Sequence, residues 1–572
     1  ALADLEQPGL DGDALYHQRL LHFEERLVGA LTARLARPPR ALPPAEVAAA
    51  LAAVRAAPPR LGAQPVALSE EQQYAVLTAL HLPLTIITGG PGTGKTSIVV
   101  TILRLLARLG TPAPAVALAA PTGKAANRLQ EAVLRALAGV AQPDLWDSAL
   151  AATVEARTLH RLLGYSPAND RFRHHENNRL AERVVIVDEC SMIDLVLMDR
   201  LVRSVRDDAH LVLLGDAEQL PSVDAGAVFR DLLPAATAAP WPWRQLVKPT
   251  LKGRLAPADP APADPRAAAA VRLTHSYRMD ASNPAGRAIL EVARAINAGR
   301  GADLIPGPGG AELVTLRSQP AELAFRGVEL LADETGPQLP ALLDAWFERR
   351  VAGLPDWVEL VRHTYVQGPS GFGDGDRERL GRLLGHLDGQ RVLCITRGDR
   401  PTGAAGVNRR LHARLREALG ASGPAELDPG DLVMMQRNDY ERGLFNGDQG
   451  VVLWVRDEAA GARPRPMAVF RRGQGELAAF PLDALREDLT LSFALTVHKA
   501  QGSEYDYVAL VLPEEAMPLL TREVLYTAVT RARASVVIAG RPALLAAGVA
   551  QPLARSSGIA EKLGRAGGEP AR

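Results

Sequence analysis

The sequence predicts an α/β chain of two parallel-sheet domains, with a small helical domain at the N-terminal end and a small β-barrel inserted into the second sheet domain. Three observations carry that expectation. From about Leu68 to Leu233, short apolar runs alternate with helical stretches, the pattern of parallel strands joined by crossover helices. A second stretch of the same kind covers roughly 271–420 and 488–545. Between its halves, 431–485 is dense in β-branched residues and glycine turns such as Phe445-Asn446-Gly447-Asp448, which reads as the barrel.

Composition bounds the rest. A chain of 572 residues is several domains long, and 47% hydrophobic residues can fill their cores. No apolar run approaches the roughly 18–20 residues of a membrane span, and the acidic opening stretch does not read as a secretory signal. Two cysteines, Cys190 and Cys394, suit a reducing cytoplasm rather than a disulfide framework. A formal net charge of zero excludes coating of nucleic acid by bulk positive charge, though not a local basic groove. Only six of the 65 basic residues are lysines, and Lys95, Lys124 and Lys499 fall inside motifs. Lysine at those positions points to a need for a compact, flexible ammonium.

The elements follow in chain order. Residues 1–62 place Leu20, Phe23, Leu27, Leu31 and Leu35 on one helical face, with proline pairs breaking the region into short helices. That face is buried inside a small helical domain or against another subunit. The first sheet domain spans 63–255, with a charged hairpin at about 165–180. An Ala/Pro/Asp-rich stretch, 256–270, reads as a linker, and the second sheet domain covers 271–572.

Three strand ends carry chemistry. Leu84–Thr88 runs into Gly89-Gly90-Pro91-Gly92-Thr93-Gly94-Lys95-Thr96 and then a helix, which is G-x-x-x-x-G-K-[ST] in the strand–loop–helix setting it requires. Glycines let backbone N–H groups converge on phosphate oxygens, Lys95 reaches the β- and γ-phosphates, and Thr96 ligates Mg²⁺. The apolar run Val184–Val187 ends in Asp188-Glu189, where Asp188 can complete the metal shell and Glu189 can polarise the attacking water. A third strand, Leu211–Leu214, leads into Gly215–Val223, where Gln219 is placed to register the γ-phosphate. An Asp-Glu pair alone is usually a solvated turn; beside a phosphate loop it is a site.

The order of these segments, continued by Tyr277-Arg278, Thr496–Glu504 and Tyr526–Arg533, resembles the motif set of superfamily 1 helicases, and more narrowly the superfamily 1B RecD family. Ala120–Ala126, Thr158–Gly164, Arg437–Asp439 and Gly443–Asp448 add to the resemblance, which runs from about Leu68 to Leu563. One departure is Cys190, where alanine is commoner after the Asp-Glu pair. The resemblance implies two RecA-like motor domains that hold one ATP between them. It makes Gln72 the adenine-reading residue, Arg278 a γ-phosphate contact, Arg531 the arginine finger and Glu504 a ribose contact. It places Thr122, Lys124, His160, Thr496 and His498 along a single-strand path, and the 165–180 hairpin near the point of strand separation. It implies RecB-like and RecC-like partners, single-stranded and duplex-end DNA, docking of 1–62 on a partner, and a nuclease in another subunit. Two other readings stay open. A stand-alone relative would carry a longer N-terminal extension than this length accommodates. A scaffold subunit that only binds nucleotide would have no use for Glu189, Gln219, Arg278 and Arg531.

Overall fold

The computed structural model describes residues 8–11, 14–61, 64–222, 226–234, 264–277, 283–305, 313–334, 336, 338–423, 425–439, 441–459, 462–472, 475–553 and 557–566. The chain divides into two units, the first formed by Ala1–Tyr277 with Ala554–Arg572, the second by Arg278–Leu553.

The first unit is built on a six-stranded sheet in the order Ala270–Leu273, Leu84–Gly89, His210–Gly215, Val184–Val187, Val116–Ala120, Ala156–Thr158. Every neighbouring pair is parallel. The central strands are buried throughout, as parallel strands covered on both faces must be. Helices α1 (Gln18–Leu35), α2 (Pro44–Ala56), α3 (Glu70–His81), α4 (Lys95–Arg108) and α5 (Gly123–Ala138) belong to this unit, as do α6 (Leu145–Thr153), α7 (Leu159–Leu162) and α8 (Leu195–Ser204).

The apolar face of α1 has a partner other than the one expected within a separate helical domain. Leu27 and Leu31 are fully buried in the core that also holds Leu197, Met198, Leu201 and Val202 of α8, and Arg26 pairs with the buried Asp199. Arg34, also buried, donates to the carbonyls of Ala209, Val205 and Arg206. Helix α2 shares the other core, with α3 and α4. The C-terminal helix Ile559–Ala566 closes on the same side, with Ile559 and Leu563 in the α1 core and Lys562 3.1 Å from Glu24.

A buried imidazole is expected to contribute to the acid sensitivity of this unit. His210 opens its strand with Nδ1 2.7 Å from the carbonyl of Leu82, and burial lowers its pKa from 6.5 to about 4. A depressed folded value means stability is fully present above the unfolded pKa near 6.5 and is lost as pH falls towards 4. His210→Asn keeps a donor for Leu82 without a titrating ring. Urea midpoints should therefore fall less for the variant between pH 7 and 5, by on the order of 2 kcal/mol of stability. Equal acid losses in both proteins would assign the sensitivity elsewhere.

The second unit has its own six-stranded parallel sheet, in the order Thr315–Arg317, Gly327–Ala332, Ala532–Gly540, Tyr505–Val511, Gln390–Cys394, Ala494–Thr496. A further seven-stranded sheet occupies and exceeds the expected insert. Beside Leu432–Met435, Gln449–Asp457, Arg465–Arg472 and Glu476–Pro481, it recruits Thr364–Gly368, Gly371–Phe372 and Leu489–Leu491. Alternate residues of Gln449–Asp457 serve two cores. Val451, Leu453 and Val455 join the large one with Trp346 and Tyr365, and Val452 joins Phe470 and Val433 in a smaller one. Among the described residues, no strand pairing closes this sheet into the expected barrel.

Most of the 256–270 linker lies outside the described residues, and its end, Pro265–Ala269, forms a short helix. The 165–180 segment pairs Tyr165–Ser166 with Arg171–Phe172 as an antiparallel hairpin. No helix among the described residues is long and apolar enough to cross a membrane.

Candidate nucleotide site and strand-end residues

Most of the expected functional residues of the first unit follow the C-terminal ends of its parallel strands, where such sheets hold ligands. Gly89 ends its strand beside Leu273 of the edge strand. The backbone packs so closely there that a Cβ on Gly89 would lie 2.7 Å from Thr93 Oγ1 and 2.9 Å from Leu273 Cβ. The loop then turns through Gly94 at φ 80°, a left-handed conformation that favours glycine, and Lys95 begins α4. Lys95 Nζ donates to the carbonyls of Gly89 (2.6 Å) and Gly90 (3.2 Å), and Thr93 Oγ1 donates to Gly90 (2.8 Å). The ammonium is thus held inside the loop that anionic oxygens would enter.

Gln72 sits at the third position of α3 in a reciprocal cap. Its backbone N–H donates to Ser69 Oγ, and its Oε1 accepts from Ser69 N at 2.9 Å. Its Nε2 donates to the carbonyl of Thr93 at 2.9 Å, so both ends of the amide are engaged by protein.

Asp188 leaves the central strand with its N–H bonded to the carbonyl of Ala119. Its carboxyl is held above the usual carboxylate range, first by loss of hydration and then by Glu189, while Lys95 acts in the opposite direction. A poorly hydrated carboxylate beside a second acid is the setting a divalent cation would relieve, so Asp188 and Thr96 fit Mg²⁺. Glu189 adopts φ 54°, an uncommon left-handed backbone for a residue with a side chain. Gln219 is buried, and its Nε2 donates to Asp216 Oδ2 at 3.1 Å. Asp216 was not singled out in the sequence; it lies three residues before Gln219, at the end of the same strand. Arg278 lies outside the described residues.

Thr122 and His160 follow neighbouring strands whose ends align, Ala120 opposite Thr158. Thr122 Oγ1 caps α5 by accepting from Ala125 N, which fixes Lys124 in the first turn. His160 is ringed by Tyr165 and Phe172 of the hairpin, with centroids 5.3 and 5.8 Å away, and partial burial lowers its pKa.

In the second unit, Thr496 ends its strand and its Oγ1 accepts from Lys499 N at 3.4 Å; His498 begins the one-turn helix that follows. Lys499 Nζ reaches Gln436 Oε1 at 2.6 Å. Glu504 pairs with Arg533 at 2.9 Å. Arg531 is buried, its Nε donating to the carbonyl of Thr527 and its Nη1 to that of Ser503.

A phosphate loop and an acidic strand end on one parallel sheet, with a second parallel-sheet unit in the chain, place it in the phosphate-loop NTPase class. Comparison with known proteins narrows this. Residues 72–225 match the model of an AAA domain, and 491–539 that of a UvrD-like helicase C-terminal domain. The RecBCD enzyme subunit RecD of Mycobacterium tuberculosis is 37% identical over 501 residues, covering 86% of this chain and 73% of that protein. The same subunit of Haemophilus influenzae is 29% identical, covering 86% and 72%. The ATP-dependent RecD2 DNA helicase of Deinococcus radiodurans is 31% identical, covering 87% of this chain and 52% of its own length. Among solved structures, the Pif1 helicase of Candida albicans aligns with TM-score 0.40 and 16% identity over 83% of this chain and 94% of that one. The chain belongs to the RecD family of ATP-dependent DNA helicases.

Proposed function

We propose that the chain is the ATP-driven motor subunit of a RecBCD-type helicase–nuclease, moving 5′ to 3′ on single-stranded DNA. It works with RecB-like and RecC-like partners on duplex ends, in double-strand-break repair and recombination in the cytoplasm. The observation that best supports this is the phosphate loop, with Lys95 held over it and the Asp188-Glu189 strand end bearing on the same lysine. Gly89, Gly90, Pro91, Gly92, Thr93 and Gly94 cradle the phosphates of ATP, with Lys95 neutralising them. Thr96 and Asp188 would hold Mg²⁺, which would supply charge neutralisation for the phosphates. Glu189 orients and polarises the attacking water, Gln219 registers the γ-phosphate, and Arg278 and Arg531 stabilise charge as it leaves. Gln72 reads adenine once its amide is released from Ser69 and Thr93, and Glu504 contacts the ribose. Thr122, Lys124, His160, Thr496 and His498 touch the sugar–phosphate backbone without reading sequence.

Polarity is the sharpest test. The purified protein should unwind duplexes bearing a 5′ single-stranded tail and leave 3′-tailed duplexes intact. Its affinity for single strands should be indifferent to base composition and fall steeply with salt as counterions are released. Unwinding from 3′ tails would place the chain in the opposite polarity class.

A further inference from the structure

The edge strand Ala270–Leu273 stops level with the phosphate loop, Leu273 opposite Gly89, and two of the four residues after it, Ser276 and Tyr277, bond that loop. Ser276, buried, donates through Oγ to the carbonyl of Pro91 at 3.0 Å. The backbone N–H of Tyr277 donates to the carbonyl of Gly92 at 2.9 Å. The next carbonyl, that of Thr93, accepts from Gln72. Thr274 fixes the start of the segment to α3, its N–H and Oγ1 bonding the carboxylate of Glu71 at 2.9 and 2.6 Å.

Three consecutive loop carbonyls are therefore each held by a donor from outside the loop. In a trans peptide the C=O and the following N–H point in opposite directions. Holding the carbonyls of Pro91, Gly92 and Thr93 fixes the orientation of the N–H groups of Gly92, Thr93 and Gly94, the groups that a phosphate oxygen needs converged. Left without these donors, a loop with four glycines would sample many orientations, and each binding event would have to order it.

We propose that residues 274–277 are a strap that preorganises the phosphate loop, with Ser276 as its positioning residue. This rests on the ATP-site reading above. Ser276 touches no reacting atom; it acts through the Pro91 carbonyl. The strap is also the last stretch of the first unit before the chain enters the second.

The test uses the full chain. Ser276→Ala should raise the dissociation constant for ADP and the KM for ATP by about 3–10-fold, the effect of one buried hydrogen bond, with kcat within about twofold. Ser276→Thr, which keeps the hydroxyl, should recover most of the affinity, whereas Ser276→Cys, a weaker donor of similar size, should not. Unchanged ADP and ATP affinity in Ser276→Ala would overturn the proposal. So would a loss confined to kcat or melting temperature, or one that Ser276→Thr and Ser276→Cys restore alike. Lys95→Ala run alongside separates the two levels. If it too leaves nucleotide turnover intact, the site reading fails; if it abolishes turnover while Ser276→Ala is silent, only the strap fails.

Discussion

Lys95→Ala is expected to abolish DNA-stimulated ATP hydrolysis, by more than about a hundredfold, while leaving the fold intact. The ammonium is the only side-chain charge in the loop, and it lies 2.6 Å from the Gly89 carbonyl, where it would meet entering phosphate oxygens. Its removal takes away the one side-chain cation of the loop, and that deficit grows as charge develops in the transition state. The structural cost is small, because the side chain is only half-buried and belongs to neither core of the first unit. Phosphate release with saturating single-stranded DNA measures the first expectation, and the melting temperature without nucleotide measures the second. Turnover within a few-fold of the unmutated protein would mean that the loop is a structural turn. Lost turnover with a collapsed melting temperature would mean that Lys95 supports the loop rather than the chemistry.

The first unit was legible in sequence where strands are short, apolar and followed by chemically demanding residues. The strand before Gly89 and the one before Asp188 fall where the runs Leu84–Thr88 and Val184–Val187 place them. Glycine spacing, a lone motif lysine and an acidic pair are local signals. What was not legible depends on contacts distant in sequence. Leu27 and Leu31 form an obvious apolar face, but nothing in residues 1–62 names α8, some 170 positions away, as its partner. The return of Ile559 and Leu563 to that core is equally non-local, as are the two added strands at 364–372. Ser276 illustrates the same limit at the site. It immediately precedes Tyr277-Arg278, which drew notice as a motif, yet a serine in a polar run carries no sign that it bonds Pro91 185 positions earlier. The Gln72 bond to the carbonyl of Thr93, 21 positions later, is non-local in the same way.

Arg531→Ala is expected to separate binding from hydrolysis. An arginine finger stabilises charge that exists only as the phosphoryl group leaves, so its loss typically lowers turnover by about 10³–10⁵ with little change in ground-state affinity. In the structure the Arg531 guanidinium is held by carbonyls of its own unit. The side chain is 3% exposed, with Nε on the carbonyl of Thr527 and Nη1 on that of Ser503, contacts that restrict its rotamers before nucleotide arrives. Those same bonds raise the competing possibility that Arg531 only braces the 503–505 turn, where its own carbonyl accepts from Tyr505 N. The two roles differ in what Arg531→Lys does. Lysine supplies a charge without the planar fork, so a bracing role loses both carbonyl contacts and the melting temperature falls as far as in Arg531→Ala. A finger keeps part of its electrostatic effect, and turnover in Arg531→Lys should exceed that of Arg531→Ala by at least about tenfold at similar ADP affinity. Nucleotide affinity and single-turnover hydrolysis, measured on both variants, decide between them. Parallel losses in binding and turnover, identical for alanine and lysine, would make Arg531 a structural residue and leave the transition state without its proposed partner from this motif.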